Sequence, residues 1–227
     1  MEKHPGKLFY RLSRLSPEDQ LPLRRKPRAK VYANPLETQA LPPALEGGPP
    51  LFRALARLQP LLPEVGSALS LKDLSQVLYP LAEREGRRGF PSAGEAYPLE
   101  AYLVALRVEG VFPGVYHYFP REHQLFQLSA KAEASAWSQA LMGLPLDKAA
   151  ALLVLTLVPE RSEALFGLRG YRYALLEAGY AMGLVLLCAV GQGLAAYPAE
   201  TFYDEAVARL LGLPEGEYPG VVLVLGR

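Results

Sequence analysis

Residues 169–189 read RGYRYALLEAGYAMGLVLLCA, a helical stretch that is apolar almost all round after its first turns. A helix with no polar face has no side to offer water, so it must lie inside a core or in an interface between subunits. Its most apolar part, residues 178–191, runs for 14 residues, against the roughly 20 needed to cross a bilayer. The opening residues, MEKHPGKLFYRL, lack the charged-then-apolar pattern of an export signal. A cytoplasmic protein with no membrane association is therefore expected. With 227 residues, 50% of them hydrophobic, the chain has enough material for one large domain around this helix.

The rest of the chain divides near residue 50. Residues 1–50 form a proline-rich, basic, extended arm with one short helical stretch near 17–20, and residues 51–227 form the folded domain. In the domain, residues 51–58 read as a helix. Ser70 reads as the N-cap of a second, with Leu71, Leu74, Val77 and Leu78 on one face. Residues 99–108 are an apolar strand or a strand-to-helix transition. The alternating runs 114–119 and 124–128 around Pro120-Arg-Glu-His make a hairpin. A helix over 130–142 and a buried strand over 149–158 precede the long helix. A short strand at 193–197, a helix at 204–211 and a strand at 221–225 follow it. Strands separated by helices, with a hairpin inside, predict an α+β fold, a mixed sheet flanked by helices.

Several kinds of chemistry find no anchor. A formal net charge of +1 supplies no field for a phosphate backbone, so no nucleic-acid partner is expected. The single cysteine, Cys188, and three scattered histidines (His4, His117, His123) exclude a disulfide framework and predict no metal site. His117 reads as a packed or surface residue of the hairpin rather than a proton donor. No G-x-S-x-G, H-E-x-x-H, G-x-x-x-x-G-K-[ST] or C-x-x-C motif occurs, and Gly191-Gln-Gly193 reads as a helix end. The basic run Arg24, Arg25, Lys26, Arg28 and Lys30 reads first as a solvated charged face, with anion or peptide capture as the alternative. No isoleucine, one asparagine and few threonines fit a thermophile, although base composition produces the same bias.

Six segments, in order, resemble the SagB-type branch of the nitroreductase superfamily, flavin-dependent dehydrogenases that oxidise azolines to azoles in modified peptides. They are Leu15-Ser-Pro-Glu-Asp with the arm that follows, Leu69-Ser-Leu-Lys-Asp-Leu-Ser-Gln-Val-Leu, Pro91-Ser-Ala-Gly-Glu-Ala-Tyr-Pro-Leu-Glu, Pro113-Gly-Val-Tyr-His-Tyr, Arg169-Gly-Tyr-Arg-Tyr-Ala-Leu-Leu-Glu-Ala-Gly, and Ala206-Val-Ala-Arg-Leu-Leu-Gly-Leu. The resemblance implies a homodimeric α+β fold with the long helix at the dimer interface and FMN in the groove between subunits. It also implies that the PSAG turn runs close to the flavin. On this basis Pro91, Ser92, Gly94 and Tyr97 are candidate cofactor contacts, joined by Arg169, Arg172 and Tyr173 where the long helix opens. Gly94 permits close backbone approach, and Ser92 offers a short hydroxyl or an amide donor. The same turn also reads as a plain proline-flanked connection. Arg169 and Arg172, three apart on one helix face, are candidates to grip a phosphate, or are solvated arginines at a helix start.

The sequence departs from that family at four places. Where the family carries an Arg-Arg-Ser-x-Arg phosphate grip, this chain reads Leu58-Gln-Pro-Leu-Leu, with Arg53 and Arg57 upstream out of register. The family's catalytic Lys-Tyr pair is Leu165-Phe166, which cannot exchange protons. The histidine often found after LLEAG is Tyr180, and the Gly-Gly-Phe loop that faces the flavin is Glu200-Thr-Phe202. The expectation is a divergent FMN-dependent oxidoreductase, passing hydride from a reduced donor through flavin to an acceptor, with azoline oxidation itself lost. No catalytic residue is assigned. The alternative is a non-catalytic subunit that has lost FMN and pairs with an active paralogue. Either way the partners expected are a second subunit, identical or paralogous, and a small-molecule or modified-peptide substrate.

Overall fold

A computed structural model describes residues 4–22, 30–44 and 47–227. Of the basic run in the arm, Arg24, Arg25, Lys26 and Arg28 lie outside the described residues; Lys30 lies within them.

The two most continuous apolar runs form the centre of a sheet. Strands β2 (Leu99–Ala105) and β5 (Ala151–Leu157) are buried along their whole length and pair antiparallel, Leu99 opposite Leu157 and Ala105 opposite Ala151. The hairpin is β3 (Gly114–Phe119) and β4 (Gln124–Ser129), with His123 in the turn at φ +52°. β6 (Ala195–Ala199) and β7 (Tyr218–Gly226) complete one side, and β1 (Thr38–Ala40), from the arm, adds an edge to the other. The order is β1-β4-β3-β2-β5-β7-β6, with every neighbouring pair antiparallel. Side chains alternate across this sheet. Leu99, Ala101, Leu103 and Ala105 of β2 enter one apolar cluster, and Tyr102 and Val104 enter the other.

The first cluster is covered by α3 (Leu71–Leu78) and α6 (Leu168–Gly191). The second is covered by α4 (Ala134–Ala140) and α7 (Asp204–Leu211). The buried residues of α6 include Gly170, Ala174, Glu177, Ala178, Ala181, Met182, Val185 and Ala189, a stripe at three- and four-residue spacing. By length and composition α6 could cross a membrane. In this fold it lies against β2, β5, β6 and β7 as a core helix. Its opposite face stays apolar and open, with Leu175, Leu176 and Tyr180 46%, 48% and 49% exposed.

The helix α5 (Glu160–Phe166), which the sequence reading did not anticipate, packs tightly against the start of α6. A Cβ on Gly170 would fall 2.3 Å from the carbonyl carbon of Ser162 and 2.4 Å from the nitrogen of Glu163, so only glycine allows the crossing. The buried residues of α5 are Arg161 and Ser162, both polar, so no apolar period marks it. Two further differences have local causes. The arm's helix is α1 (Pro5–Leu12), with Pro5 at the first turn where its missing N–H costs nothing, while residues 17–18 make only a turn. Helix α4 starts at Ala134 because β4 runs on through Ser129. A short helix α2 (Leu51–Ala56) lies against the far end of α6, where a Cβ on Gly191 would meet Ala54 at 3.8 Å.

Helix α3 begins with a capping box. Asp73 N donates to Ser70 Oγ at 3.2 Å, and Ser70 N donates to Asp73 Oδ2 at 2.9 Å. Arg227 donates to the same carboxylate oxygen at 2.8 Å. Burial works to raise the Asp73 pKa, but the Ser70 and Arg227 hydrogen bonds outweigh it and hold the value below the ordinary 3.8. Asp73→Ala is expected to lose about 1 kcal/mol in thermal or urea denaturation at neutral pH. Because the folded pKa is depressed, that deficit should shrink as the pH falls through 3.8 and below. Gly170→Ala should cost about 3 kcal/mol in the same measurement, because the added methyl meets backbone rather than a movable side chain.

Candidate functional site

The segment between Phe90 and Leu99 departs from ordinary backbone geometry. Ala93–Glu95 form one 3-10 turn, and Gly94 (φ +60°), Glu95 (φ +51°) and Tyr97 (φ +46°) all occupy the left-handed region. For residues with a Cβ that conformation costs about 1–2 kcal/mol each, so something must hold it. Several contacts hold Tyr97, an edge-on Phe90 ring with centres 6.2 Å apart among them. Its N–H donates to Ser92 Oγ at 2.8 Å, and its carbonyl accepts from Arg161 Nη1 at 3.0 Å. Its hydroxyl accepts from the Arg88 N–H at 3.2 Å, and the Arg88 guanidinium lies 5.1 Å from its ring centre. Arg88 also donates to the carbonyl of Leu99 at 3.1 Å. Burial pulls the Arg88 pKa down, against the opposing field of Glu100.

The turn rests on the end of α5. A Cβ on Gly94 would lie 2.9 Å from Leu165 Cδ1 and 3.1 Å from the Phe166 ring. Phe166 in turn meets Tyr173 edge-on, with ring centres 5.1 Å apart. Gly94, Tyr173 and the Leu165-Phe166 pair are thus brought together, and the Ser92 hydroxyl is engaged within the turn. Pro91 is exposed at its entrance.

Arg169 and Arg172 point elsewhere. Arg172 Nη2 donates to the Tyr10 carbonyl at 2.8 Å and to the Ser13 hydroxyl, with the guanidinium 4.4 Å from the Tyr10 ring centre. Arg169 lies over the Tyr173 ring at 5.2 Å and reaches the Ser13 carbonyl at 3.4 Å. Both guanidiniums therefore fasten α1 onto the start of α6, helped by an edge-on contact of Phe9 with Tyr171. Arg53 and Arg57 are exposed on or just after α2, at the other end of α6. A helix of 24 residues spans about 36 Å, so the two arginine pairs cannot serve one ligand within a single chain. Tyr180 sits on the open face of α6, Glu200 is exposed, and Phe202 packs against the second cluster.

Two buried polar groups escaped the sequence reading. On the face of the sheet opposite α6, His117 Nε2 lies 2.8 Å from Glu100 Oε2, and the other carboxylate oxygen of Glu100 pairs with Arg161. Burial would raise the Glu100 pKa, but the His117 hydrogen bond and the charge of Arg161 bring it down to about 2. The signal in the sequence was Glu100 itself, a carboxylate inside an otherwise apolar strand that requires a buried partner. Beside it, Tyr102 donates to Glu217 at 2.8 Å, and Thr156 donates to the same oxygen at 2.6 Å. Lys30 from the arm pairs with Glu217, and Tyr32 covers His117 with ring centres 4.9 Å apart. Desolvation by burial, then the Glu217 charge, drive the Tyr102 pKa far above its ordinary value. Among the described residues, no cluster of three or more metal-binding side chains occurs.

Comparison with known proteins places these features in a family. A sequence model described as the nitroreductase family matches residues 67–227. A protein of Methanocaldococcus jannaschii, described as a nitroreductase, is 33% identical over 165 residues, covering 71% of this chain and 82% of that one. The crystal structure of a protein from Ralstonia eutropha, also described as a nitroreductase, superposes with a TM-score of 0.73 at 22% identity. It covers 90% of this chain and 94% of the other. A chain of the E. coli microcin synthetase McbBCD complex, solved with truncated pro-MccB17, gives a TM-score of 0.65 at 25% identity, over 74% of this chain and 69% of that one. The strands, the central helix and the sequence match agree, and the chain belongs to the nitroreductase family.

Proposed function

We propose that the protein is an FMN-dependent oxidoreductase of SagB-like ancestry that works as a dimer. In this reading it transfers hydride from a reduced donor, through the flavin, to an acceptor. The observation that carries it is the turn 92–97, with three residues in the left-handed region and Tyr97 fastened by its N–H, carbonyl, hydroxyl and ring. Strain that the surroundings hold in place is characteristic of ligand-facing backbone. The likeness to a chain of the microcin synthetase complex supports the SagB-like ancestry.

The residues present fit a flavin ring better than its phosphate. The Cβ side of Gly94 is filled by Leu165 and Phe166, which with Tyr173 form an apolar and aromatic wall against the turn. These residues would hold and desolvate the ring. Arg169 and Arg172 are occupied by α1, so the phosphate would rely on Arg53 and Arg57 of a second copy, brought to the turn across paired α6 faces. When bound, FMN supplies the hydride chemistry. The chain's own contribution is to orient the ring and exclude water. Leu165 and Phe166 move no proton, so protons would come from solvent and an azoline substrate would find no base there. A small-molecule acceptor suits that wall better than a modified peptide.

A second reading is a non-catalytic subunit that completes the site of an active paralogue. It is favoured by the engagement of Arg169 and Arg172 with the arm and by the side chains packed on Gly94.

Purified protein is expected to show a stoichiometric flavin band or to take up FMN in a fluorescence titration. Gly94→Val should abolish uptake while leaving the far-ultraviolet circular dichroism unchanged. No uptake by the unaltered protein at saturating FMN would overturn the oxidoreductase reading in favour of the second. Sedimentation of Leu176→Asp should show a monomer where the unaltered protein is a dimer, with FMN affinity falling alongside. A monomeric unaltered protein that binds flavin fully would overturn the shared-site arrangement.

A further inference from the structure

The chain of polar contacts formed by His117, Glu100 and Arg161 runs along one face of the sheet and ends on the turn. All three are buried, at 0%, 4% and 5% exposure. His117 and Glu100 stand on neighbouring strands, β3 and β2, and Arg161 sits in the first turn of α5, the helix that also carries Leu165 and Phe166. One Arg161 nitrogen pairs with Glu100 while another donates to the Tyr97 carbonyl at 3.0 Å. A buried ion pair of this kind adds little stability over apolar residues of similar volume, so stability alone does not account for it. What it does supply is geometry. The guanidinium joins sheet, helix and turn at fixed distances, and its planar fork prevents the Tyr97 carbonyl from turning away.

We infer that Arg161, held in place by Glu100 and His117, is a positioning residue. It fixes Tyr97 in the left-handed conformation and thereby sets the backbone of residues 92–97 against the flavin. The inference rests on the reading of that turn as the flavin-facing element. Without the Arg161 bond, Tyr97 relaxes toward extended backbone. The binding-competent turn is then only fractionally populated, and apparent affinity falls by that fraction. A left-handed penalty of the size usual for a residue with a Cβ corresponds to about a tenfold loss.

The test measures FMN affinity by fluorescence, well below each variant's melting temperature, for the unaltered protein, Glu100→Gln, Arg161→Lys and Arg161→Gln. Affinity should fall about tenfold in Arg161→Gln, less in Arg161→Lys, which keeps a donor, and measurably in Glu100→Gln. Tyr97→Gly supplies the decisive cross-check, because glycine adopts the left-handed region unaided. In a Tyr97→Gly background, Arg161→Lys should change affinity far less than it does alone. A merely structural role predicts lowered melting temperatures with unchanged affinities, or the same Arg161→Lys penalty with and without Tyr97→Gly, and either result overturns the inference. Should Arg161→Gln fail to fold, the Arg161→Lys and Tyr97→Gly cycle decides alone. Absence of flavin uptake by the unaltered protein overturns the flavin reading, and this inference with it. Uptake that all the variants retain unchanged overturns the positioning role alone.

Discussion

The structure depends on covering α6. A helix apolar nearly all round cannot be left in water, and here the sheet takes one side of it through Ala174, Ala178, Ala181, Val185 and Ala189. Small side chains along that stripe let the helix approach the sheet closely, and the glycine at 170 lets α5 cross the helix start at backbone distance. The placing of α6 therefore also places Leu165 and Phe166, and through them the turn at Gly94. What the sheet does not cover is the face carrying Leu175, Leu176 and Tyr180. Removing such apolar surface from water is favourable at about 25 cal/mol per Å², and this is the face that the proposed dimer would bury.

Around the turn, the apolar and ionic contributions are divided cleanly. Leu165 and Phe166, with the Tyr173 ring against them, form a wall that can exclude water, and neither Leu165 nor Phe166 can donate or accept a proton. The buried polar groups of this region sit behind the turn, where Glu100 accepts from Arg161 and lies within hydrogen-bond distance of His117, while His117 Nδ1 and Arg161 Nε find no partner among the described residues. Buried charges in such an arrangement are costly to unpair, which makes them good struts and poor reactants. That division is consistent with the proposed reading, in which a bound cofactor and not the side chains supplies the chemistry.

The arm is a structural participant in three separate places. Its first helix has no buried residue and is held by the Arg172 and Arg169 contacts and by Phe9. An eight-residue helix has little stability of its own in water, so its order is borrowed from α6. Further along, Lys30 and Tyr32 cap the polar cluster around Tyr102 and Glu217, and Thr38–Ala40 extend the sheet. One segment thus reaches the central helix, the polar cluster on the far face of the sheet and the sheet's edge.

Local periodicity determined the elements whose burial repeats along the chain. The continuous apolar runs of β2 and β5, the alternating hairpin, the capped amphipathic α3 and the all-round apolar α6 were legible because each carries its period in consecutive residues. The PSAG turn was legible too, as a proline-flanked segment with a glycine at its centre. Helix α5 was not, since Arg161 and Ser162 are its buried residues and polar side chains carry no apolar signal. Nor did the sequence show that Arg169 and Arg172 would be spent on α1, or that Glu100 would find His117 and Arg161. Those pairings join groups from 17 to 162 residues apart. A residue's local pattern says whether it will be buried; which opposite charge it meets there is decided only when the chain closes on itself.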